Sequence, residues 1–157
     1  GHPAEPQRVR ELEYLKQKVD AGAHYICTQF FFDNRDFLDF RARCERIGID
    51  APIVAGIMPI TSKGMFEKLP EFALGARYPI ELLEKIDACG DDDEAIFKVG
   101  VEWATEQCRE LLASDVRGLH FYALNKWEAC KQVFDNLDIT KVAGRRGDAN
   151  PSLQASK

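Results

Sequence analysis

A compact apolar run, YICTQFFF, occupies residues 25–32. Its short length and its β-branched and aromatic side chains are typical of a strand that is buried on both faces in a parallel sheet. We therefore predict a strand in the first part of this run. Asp33 or Asn34 then offers an N-cap for a helix, and Gly48 ends that helix before a second predicted strand, PIVAGI, at residues 52–57. Strand, helix and strand form a βαβ unit, whose functional loops lie at the carboxyl ends of the strands.

The rest of the chain adds helices and one further strand to this unit. Apolar residues recur at helical spacing from Arg8 to Ala21 and predict a first helix. Further patterns predict short helices over 62–69 and 79–88, a long helix that opens at the acidic run 91–93, a strand over 118–124, and a last helix capped by Asn125. Beyond Ile139 the periodicity stops. We predict one domain over residues 1–139 and a flexible tail or linker over residues 140–157.

The charge balance excludes two classes of partner. The chain has 26 acidic and 21 basic residues, a net charge of -5, and so has no general attraction toward phosphate backbones or anionic lipids. Its apolar runs are shorter than the roughly 18 residues that a membrane-spanning helix requires. We expect a cytoplasmic protein that binds neither nucleic acid nor membranes.

Neither the cysteines nor the acidic run predicts a metal centre. The five cysteines form no CxxC pair and are an odd number, which favours buried free thiols: Cys27, Cys44, Cys89, Cys108 and Cys130. The run Asp91-Asp92-Asp93 suits the positive end of a helix dipole. Helix capping is the favoured interpretation of this run, and a metal site is the alternative.

Polar residues stand where parallel α/β enzymes bind their ligands. They lie in three segments: KVDAGA at 18–23, TQFFFD at 28–33 and LHFYALN at 119–125. Together with Gly1-His2-Pro3, these segments resemble the methylenetetrahydrofolate reductase family from Gly1 to about Ile139. The resemblance implies the C-terminal half of a TIM (β/α)8 barrel, with three parallel strands and flanking helices. A complete barrel has roughly 250 residues, more than this chain contains.

The resemblance also implies roles for six residues. His2, Glu11 and Lys18 match positions that contact FAD in the family, although Glu11 stands where aspartate is usual. Gln29, Tyr122 and Lys126 match positions that bind the folate substrate, with Lys126 in a place usually held by arginine. From the residues alone, Glu11 and Lys18 are equally compatible with a solvated helix face, and Gln29 with a buried amide that pairs with backbone.

The activity implied by the resemblance is a ping-pong reaction. Hydride passes from NAD(P)H through FAD to 5,10-methylenetetrahydrofolate and yields 5-methyltetrahydrofolate. The family's acidic catalytic residues lie on strands that precede those found here, so we expect no catalytic residue in this chain. We expect turnover only in the complete barrel, with the N-terminal half as a partner and a homo-oligomer as the assembly. Leu69 resembles the eukaryotic, often NADPH-using branch.

Two other readings of the sequence remain. A non-catalytic, degenerate homologue that serves assembly or regulation is favoured by Ala4, Ala123 and Lys126, which depart from the family's usual residues. The retained Gln29, Lys18 and Tyr122 favour an enzyme more. An unrelated α/β binding fragment would require all three ordered segments to match by accident.

Overall fold

The computed structural model describes residues 8–73, 75–124 and 126–138. In this part of the chain, three strands and six helices follow one another in the order α1(Arg8–Asp20), β1(Ile26–Phe30), α2(Asn34–Arg46), β2(Ile53–Ile57), α3(Lys63–Phe72), α4(Ile80–Asp87), α5(Asp93–Ala113), β3(Gly118–Phe121) and α6(Trp127–Leu137). The predicted elements are confirmed to within a few residues. The predictions for His2, for Asn125 as a helix cap and for the tail 140–157 lie outside the described residues.

The strands form one parallel sheet in the order β1-β2-β3. Ile26 pairs with Ile53 across β1 and β2, and Val54 pairs with Gly118 across β2 and β3. The register of β1 and β2 shifts between Cys27 and Phe30. The predicted βαβ unit is therefore confirmed, and the carboxyl ends of the three strands lie at the same edge of the sheet.

The main core fills the space between one face of this sheet and the long helices. Apolar side chains of all three strands pack there against α1, α2, α5 and α6. Four of its residues from the helices are completely buried: Cys44, Cys108, Leu111 and Val133. Burial of this apolar surface is the main force that holds the helices on the sheet.

A second core lies beyond the carboxyl ends of β1 and β2. Phe30, Phe32, Met58 and Ile60 pack there with the short helices α3 and α4 and with part of α5. The residues between β2 and α5 thus fold over the edge of the sheet where ligands are expected.

The prediction that β1 is buried on both faces is wrong. Ile26 and Phe30 are buried, whereas Cys27 and Gln29 between them are exposed. His120 on β3 is exposed as well. The helices cover one face of the sheet, and the opposite face of β1 and β3 carries side chains that are open to solvent.

All five cysteines are free thiols, as predicted, but the prediction that they are buried is correct for three of them and wrong for two. Cys44, Cys108 and Cys130 are buried free thiols, Cys89 is half-buried and Cys27 is exposed. Burial raises the pKa of Cys44 to about 11 and that of Cys108 to about 12. These two thiols therefore remain protonated and pack as apolar groups.

The acidic run caps α5, as the favoured interpretation predicts. The Asp92 carboxylate accepts hydrogen bonds from the backbone N–H groups of Glu94, at 3.0 Å, and Ala95, at 3.2 Å. Asp93 accepts a hydrogen bond of 2.8 Å from the backbone N–H of Lys63, and Asp91 pairs with the side chain of the same lysine. The run thus joins α5 to the start of α3. Within the described ranges, no group of three metal-ligating side chains occurs, and no helix is long and apolar enough to cross a membrane.

Candidate functional site

The Gln29 amide lies near the carboxyl end of β1, where its side chain is exposed and both of its polar ends contact backbone. Nε2 donates to the carbonyl oxygen of Phe72, at 3.2 Å, and Oε1 accepts from the backbone N–H of Phe30, at 3.2 Å. The amide is therefore held between β1 and the end of α3. An exposed amide in a fixed orientation can present its remaining donor and acceptor capacity to a ligand.

Tyr122 follows β3 and reaches across the sheet toward β1. Its backbone N–H donates to the carbonyl oxygen of Ile57, at 2.8 Å, and its hydroxyl donates to the carbonyl oxygen of Thr28, at 3.0 Å. Its ring meets the ring of Phe30 edge to face, with centroids 5.6 Å apart. Burial raises the pKa of the Tyr122 hydroxyl, and the nearby Cys27 thiol adds to the increase. The hydroxyl therefore stays protonated and remains a donor well above neutral pH.

Thr28 and Gly56 fix the spacing between Gln29 and Tyr122. The Thr28 hydroxyl accepts a hydrogen bond of 2.9 Å from the backbone N–H of Gly56 on β2. A Cβ atom at Gly56 would lie 2.7 Å from the Thr28 carbonyl oxygen and 2.9 Å from the Gln29 carbonyl group. The absence of a side chain at Gly56 thus lets β1 and β2 approach closely beneath Gln29.

Gln29 and Tyr122 are brought together through Thr28 and Phe30, but the structure shows no such link for Lys18 or Lys126. Lys126 is exposed at the N-cap position of α6. Lys18 is exposed in the last turn of α1, and Glu11 is half-buried in its first turn. The prediction that residues 18–23 stand at the exit of a strand is wrong, because this segment ends α1 and precedes β1. Among the described residues, neither lysine has a hydrogen bond or ion pair to Gln29 or Tyr122.

Several contacts of the candidate site could not be predicted from the sequence. The Phe72 carbonyl that orients Gln29 lies 43 residues away along the chain, and no local pattern marks it. Cys27 was predicted to be buried, although the structure exposes it beside Tyr122. Gly56 did leave a signal, because a glycine inside an apolar strand indicates close backbone approach.

His120 on β3 is exposed beside Tyr122. Its ring meets that of Tyr122 edge to face, with centroids 4.7 Å apart. Because His120 and Tyr122 are two residues apart, they lie on the same side of the chain at the end of β3. The imidazole therefore adds an aromatic edge to the open face of the sheet.

The chain matches a known protein family over most of its length. A sequence profile described as methylenetetrahydrofolate reductase matches residues 1–138. The chain belongs to the methylenetetrahydrofolate reductase family. The match includes Gln29, Tyr122 and Lys126 together with the helix that carries Glu11 and Lys18.

Relatives of this family come from plants, animals and bacteria. The chain is 41% identical over 129 residues to methylenetetrahydrofolate reductase (NADH) 1 of Arabidopsis thaliana, which covers 82% of the chain and 22% of that relative. It is 34% identical over 147 residues, 93% of the chain and 22% of the relative, to a probable methylenetetrahydrofolate reductase (NADPH) of Caenorhabditis elegans. It is 36% identical over 140 residues, 88% of the chain and 46% of the relative, to the 5,10-methylenetetrahydrofolate reductase of Escherichia coli. The chain thus spans less than half the length of each of these relatives.

Leu69 is the residue that in sequence resembles the eukaryotic, often NADPH-using branch of the family. It is completely buried in the second core. It packs there beside Phe30 and Phe32 in the structure described. The relatives include proteins named for NADH and proteins named for NADPH.

Proposed function

We propose that this chain forms part of a flavoenzyme that reduces 5,10-methylenetetrahydrofolate to 5-methyltetrahydrofolate with NAD(P)H. The observation that carries the proposal is the joint placement of Gln29 and Tyr122 at the carboxyl edge of a parallel sheet. Family membership supplies the reaction class, and this geometry supplies a surface on which a folate can be held.

The sheet supports a role as one part of a (β/α)8 barrel. Its three strands are parallel and follow the chain order, with helices against one face and exposed side chains on the other. In such a barrel, the face opposite the helices becomes the interior, and further strands cover it. We propose that an N-terminal half supplies those strands and the acidic catalytic residues, and that the assembled enzyme is a homo-oligomer.

Gln29 and Tyr122 are proposed to bind the folate. The Gln29 amide offers both a donor and an acceptor, which suits the edge of a pterin ring. Tyr122, whose ring packs edge to face against the buried Phe30, supplies aromatic surface beside it. Lys126 is proposed to provide a cation at the rim of this site, although an ammonium group lacks the bidentate geometry of the arginine that is usual in the family.

The first helix carries residues that fit FAD. Lys18 and Glu11 are seven residues apart on α1, which places them on the same side of the helix, roughly 10 Å apart along its axis. An ammonium group suits a pyrophosphate, and a carboxylate accepts hydrogen bonds from ribose hydroxyls. We propose that both residues, with His2, hold the cofactor. FAD, when bound, supplies the hydride transfer that the protein's own side chains cannot perform.

The test is the Gln29→Ala variant in the flavin-loaded, assembled enzyme. We expect folate-dependent turnover to fall by about tenfold, the value of one lost hydrogen bond, because the folate loses a positioned amide. The flavin content of the variant, measured by its visible absorbance, should stay unchanged, because Gln29 is not among the residues proposed to hold FAD. Gln132→Ala, which changes an exposed glutamine of α6, is the matched control.

Two outcomes separate the alternatives. Equal folate turnover in Gln29→Ala and Gln132→Ala would contradict the role of Gln29. Flavin binding without any folate turnover in the unmodified assembly would favour the non-catalytic homologue, for which the departures at Ala123 and Lys126 argue.

A further inference from the structure

A cavity of about 290 Å³ lies between the start of α2, the start of α4 and one face of α5. Its lining does not include Gln29 or Tyr122. Its buried polar lining residues are Asp33, Asn34 and Gln107, each less than a tenth exposed. The cavity therefore offers buried polar groups at a place separate from the proposed folate site.

The side chain of Gln107 has an unused acceptor. Its Nε2 donates to the carbonyl oxygen of Phe31, at 3.1 Å, and to Oδ1 of Asn34, at 3.3 Å. Because a backbone carbonyl can only accept, this contact fixes which end of the amide is nitrogen. Gln107 Oε1 is buried and has no hydrogen-bond partner among the described residues. Buried acceptors are nearly always paired in folded proteins, so we expect this oxygen to accept a hydrogen bond from an N–H or O–H donor.

The charges around the cavity favour a cation. Its lining residues carry four carboxylates and one guanidinium group, namely Asp33, Glu81, Glu106, Glu110 and Arg35. Arg35 is already engaged, because its NH2 atom lies 2.7 Å from Asp33. Asp33 also accepts the backbone N–H of Arg35 at the start of α2, so a bound anion would meet this carboxylate instead of free N–H groups.

The walls of the cavity are apolar and aromatic. Phe32, Pro79 and Trp103 line it. The Trp103 indole N–H donates to the carbonyl oxygen of Phe32, at 3.1 Å, which fixes the edge of the ring. The Lys85 ammonium lies 5.9 Å from the centroid of the same ring, so Trp103 already attracts a positive charge.

We propose that this cavity binds a guanidinium group on a short aliphatic stem. The planar group donates N–H bonds to Gln107 Oε1, and its charge is balanced by Glu81 and by Glu106, whose carboxylate also lies 3.2 Å from Arg109. Its flat face packs on the aromatic wall, which suits guanidinium better than ammonium because guanidinium is planar and weakly hydrated. The proposal stands apart from the proposed reductase activity.

The first experiment uses agmatine as the probe on the full chain and reads the fluorescence of Trp103. A Trp127→Phe background removes the other tryptophan of the chain, which is 61% exposed on α6. Agmatine should change the emission of Trp103 and reach saturation. Tetramethylammonium, a cation without N–H groups, and butylurea, a neutral donor, should each bind at least about tenfold more weakly, since each lacks one of the two features that the cavity recognises.

Paired variants provide the second arm. Glu81→Gln/Glu106→Gln neutralises two exposed carboxylates of the lining and should weaken agmatine binding by about tenfold, since each exposed ion pair contributes little. Glu84→Gln/Glu102→Gln makes the same change on the same two helices, at exposed residues outside the lining, and should leave the affinity unchanged. Near-ultraviolet circular dichroism checks that both variants keep the fold.

The proposal is overturned if agmatine gives no saturable change in the emission of Trp103. It is also overturned if butylurea or tetramethylammonium binds as well as agmatine, or if both variant pairs bind agmatine alike. A second agmatine titration with the Gln107→Leu variant removes the acceptor itself and should weaken binding by about tenfold, with near-ultraviolet circular dichroism to check that the loss of the two Nε2 hydrogen bonds leaves the fold intact.

Discussion

At the level of single residues, Gly56 is the position on which the geometry of the proposed folate site depends. A Cβ added there would lie 2.7 Å from the Thr28 carbonyl oxygen, which belongs to the backbone and cannot rotate away as a side chain could. We predict that Gly56→Ala lowers the free energy of unfolding by about 1–3 kcal/mol, because the two strands must move apart. Urea unfolding followed by circular dichroism measures this change.

Gly64 provides the matched control for Gly56. It lies in α3, and no heavy atom would come within 4 Å of an added Cβ. Gly64→Ala should leave stability unchanged or raise it by up to about 1 kcal/mol, because alanine favours helix. If both variants are equally stable, β1 and β2 do not approach as closely as described.

Asp33 links the pH dependence of stability to the start of α2. The hydrogen bond from the Arg35 side chain, helped by the Arg35 backbone N–H, holds the pKa of this carboxyl below its usual 3.8. Because its pKa in the folded protein is lowered, the ionised Asp33 carboxylate stabilises the fold at pH values above its usual pKa. This stabilisation is lost as the pH falls through the folded pKa. We predict that Asp33→Asn costs about 1 kcal/mol at pH 7, because the amide keeps the cap but loses the charge. The cost should shrink below pH 3.8, as measured by urea unfolding across this range.

Asp39→Asn is the corresponding control on the same helix. Asp39 is 55% exposed and pairs only with Arg43, one helical turn away, within the part of the chain that the structure describes. Its removal should change stability by less than about 0.5 kcal/mol. A cost of Asp33→Asn that stays constant from pH 7 into the acid range would contradict the assigned role of its charge.

At the level of elements, the packing of α5 against the segment after β2 depends on Gly100. A Cβ there would lie 1.8 Å from the Ile60 carbonyl oxygen, which is much too close for any atom. We predict that Gly100→Ala lowers the free energy of unfolding by roughly 3 kcal/mol or more, since the helix and the second core must separate. A loss below that of Gly56→Ala, measured in the same urea experiment, would contradict this packing.

The elements themselves were largely predictable from the sequence, because local patterns determine them. The Asp33 cap, the strand at 53–57 and the acidic start of α5 each follow from neighbouring residues. Contacts such as Gln29 with Phe72, or Gly100 with Ile60, join residues that are far apart in sequence, and no local pattern encodes them. The exposure of Cys27 and Gln29 was missed for the same reason. An apolar run indicates a strand but does not show whether a second layer covers each face.

At the level of the whole molecule, the sheet leaves one face and two edge strands open among the described residues. Cys27, Gln29 and His120 all lie exposed on β1 and β3. A parallel sheet is normally covered on both faces, and uncovered edges favour association with other chains. These features agree with the proposed assembly, in which further barrel strands cover the open face and the folate lies at the carboxyl edge.

The most direct test of the account is a visible absorption spectrum and an intact-mass measurement on one sample of the native material. We predict a flavin spectrum together with an additional polypeptide that carries the N-terminal half of the barrel. Material that contains such a polypeptide, and yet stays colourless before and after FAD is added, would contradict the proposal that this chain belongs to a working reductase.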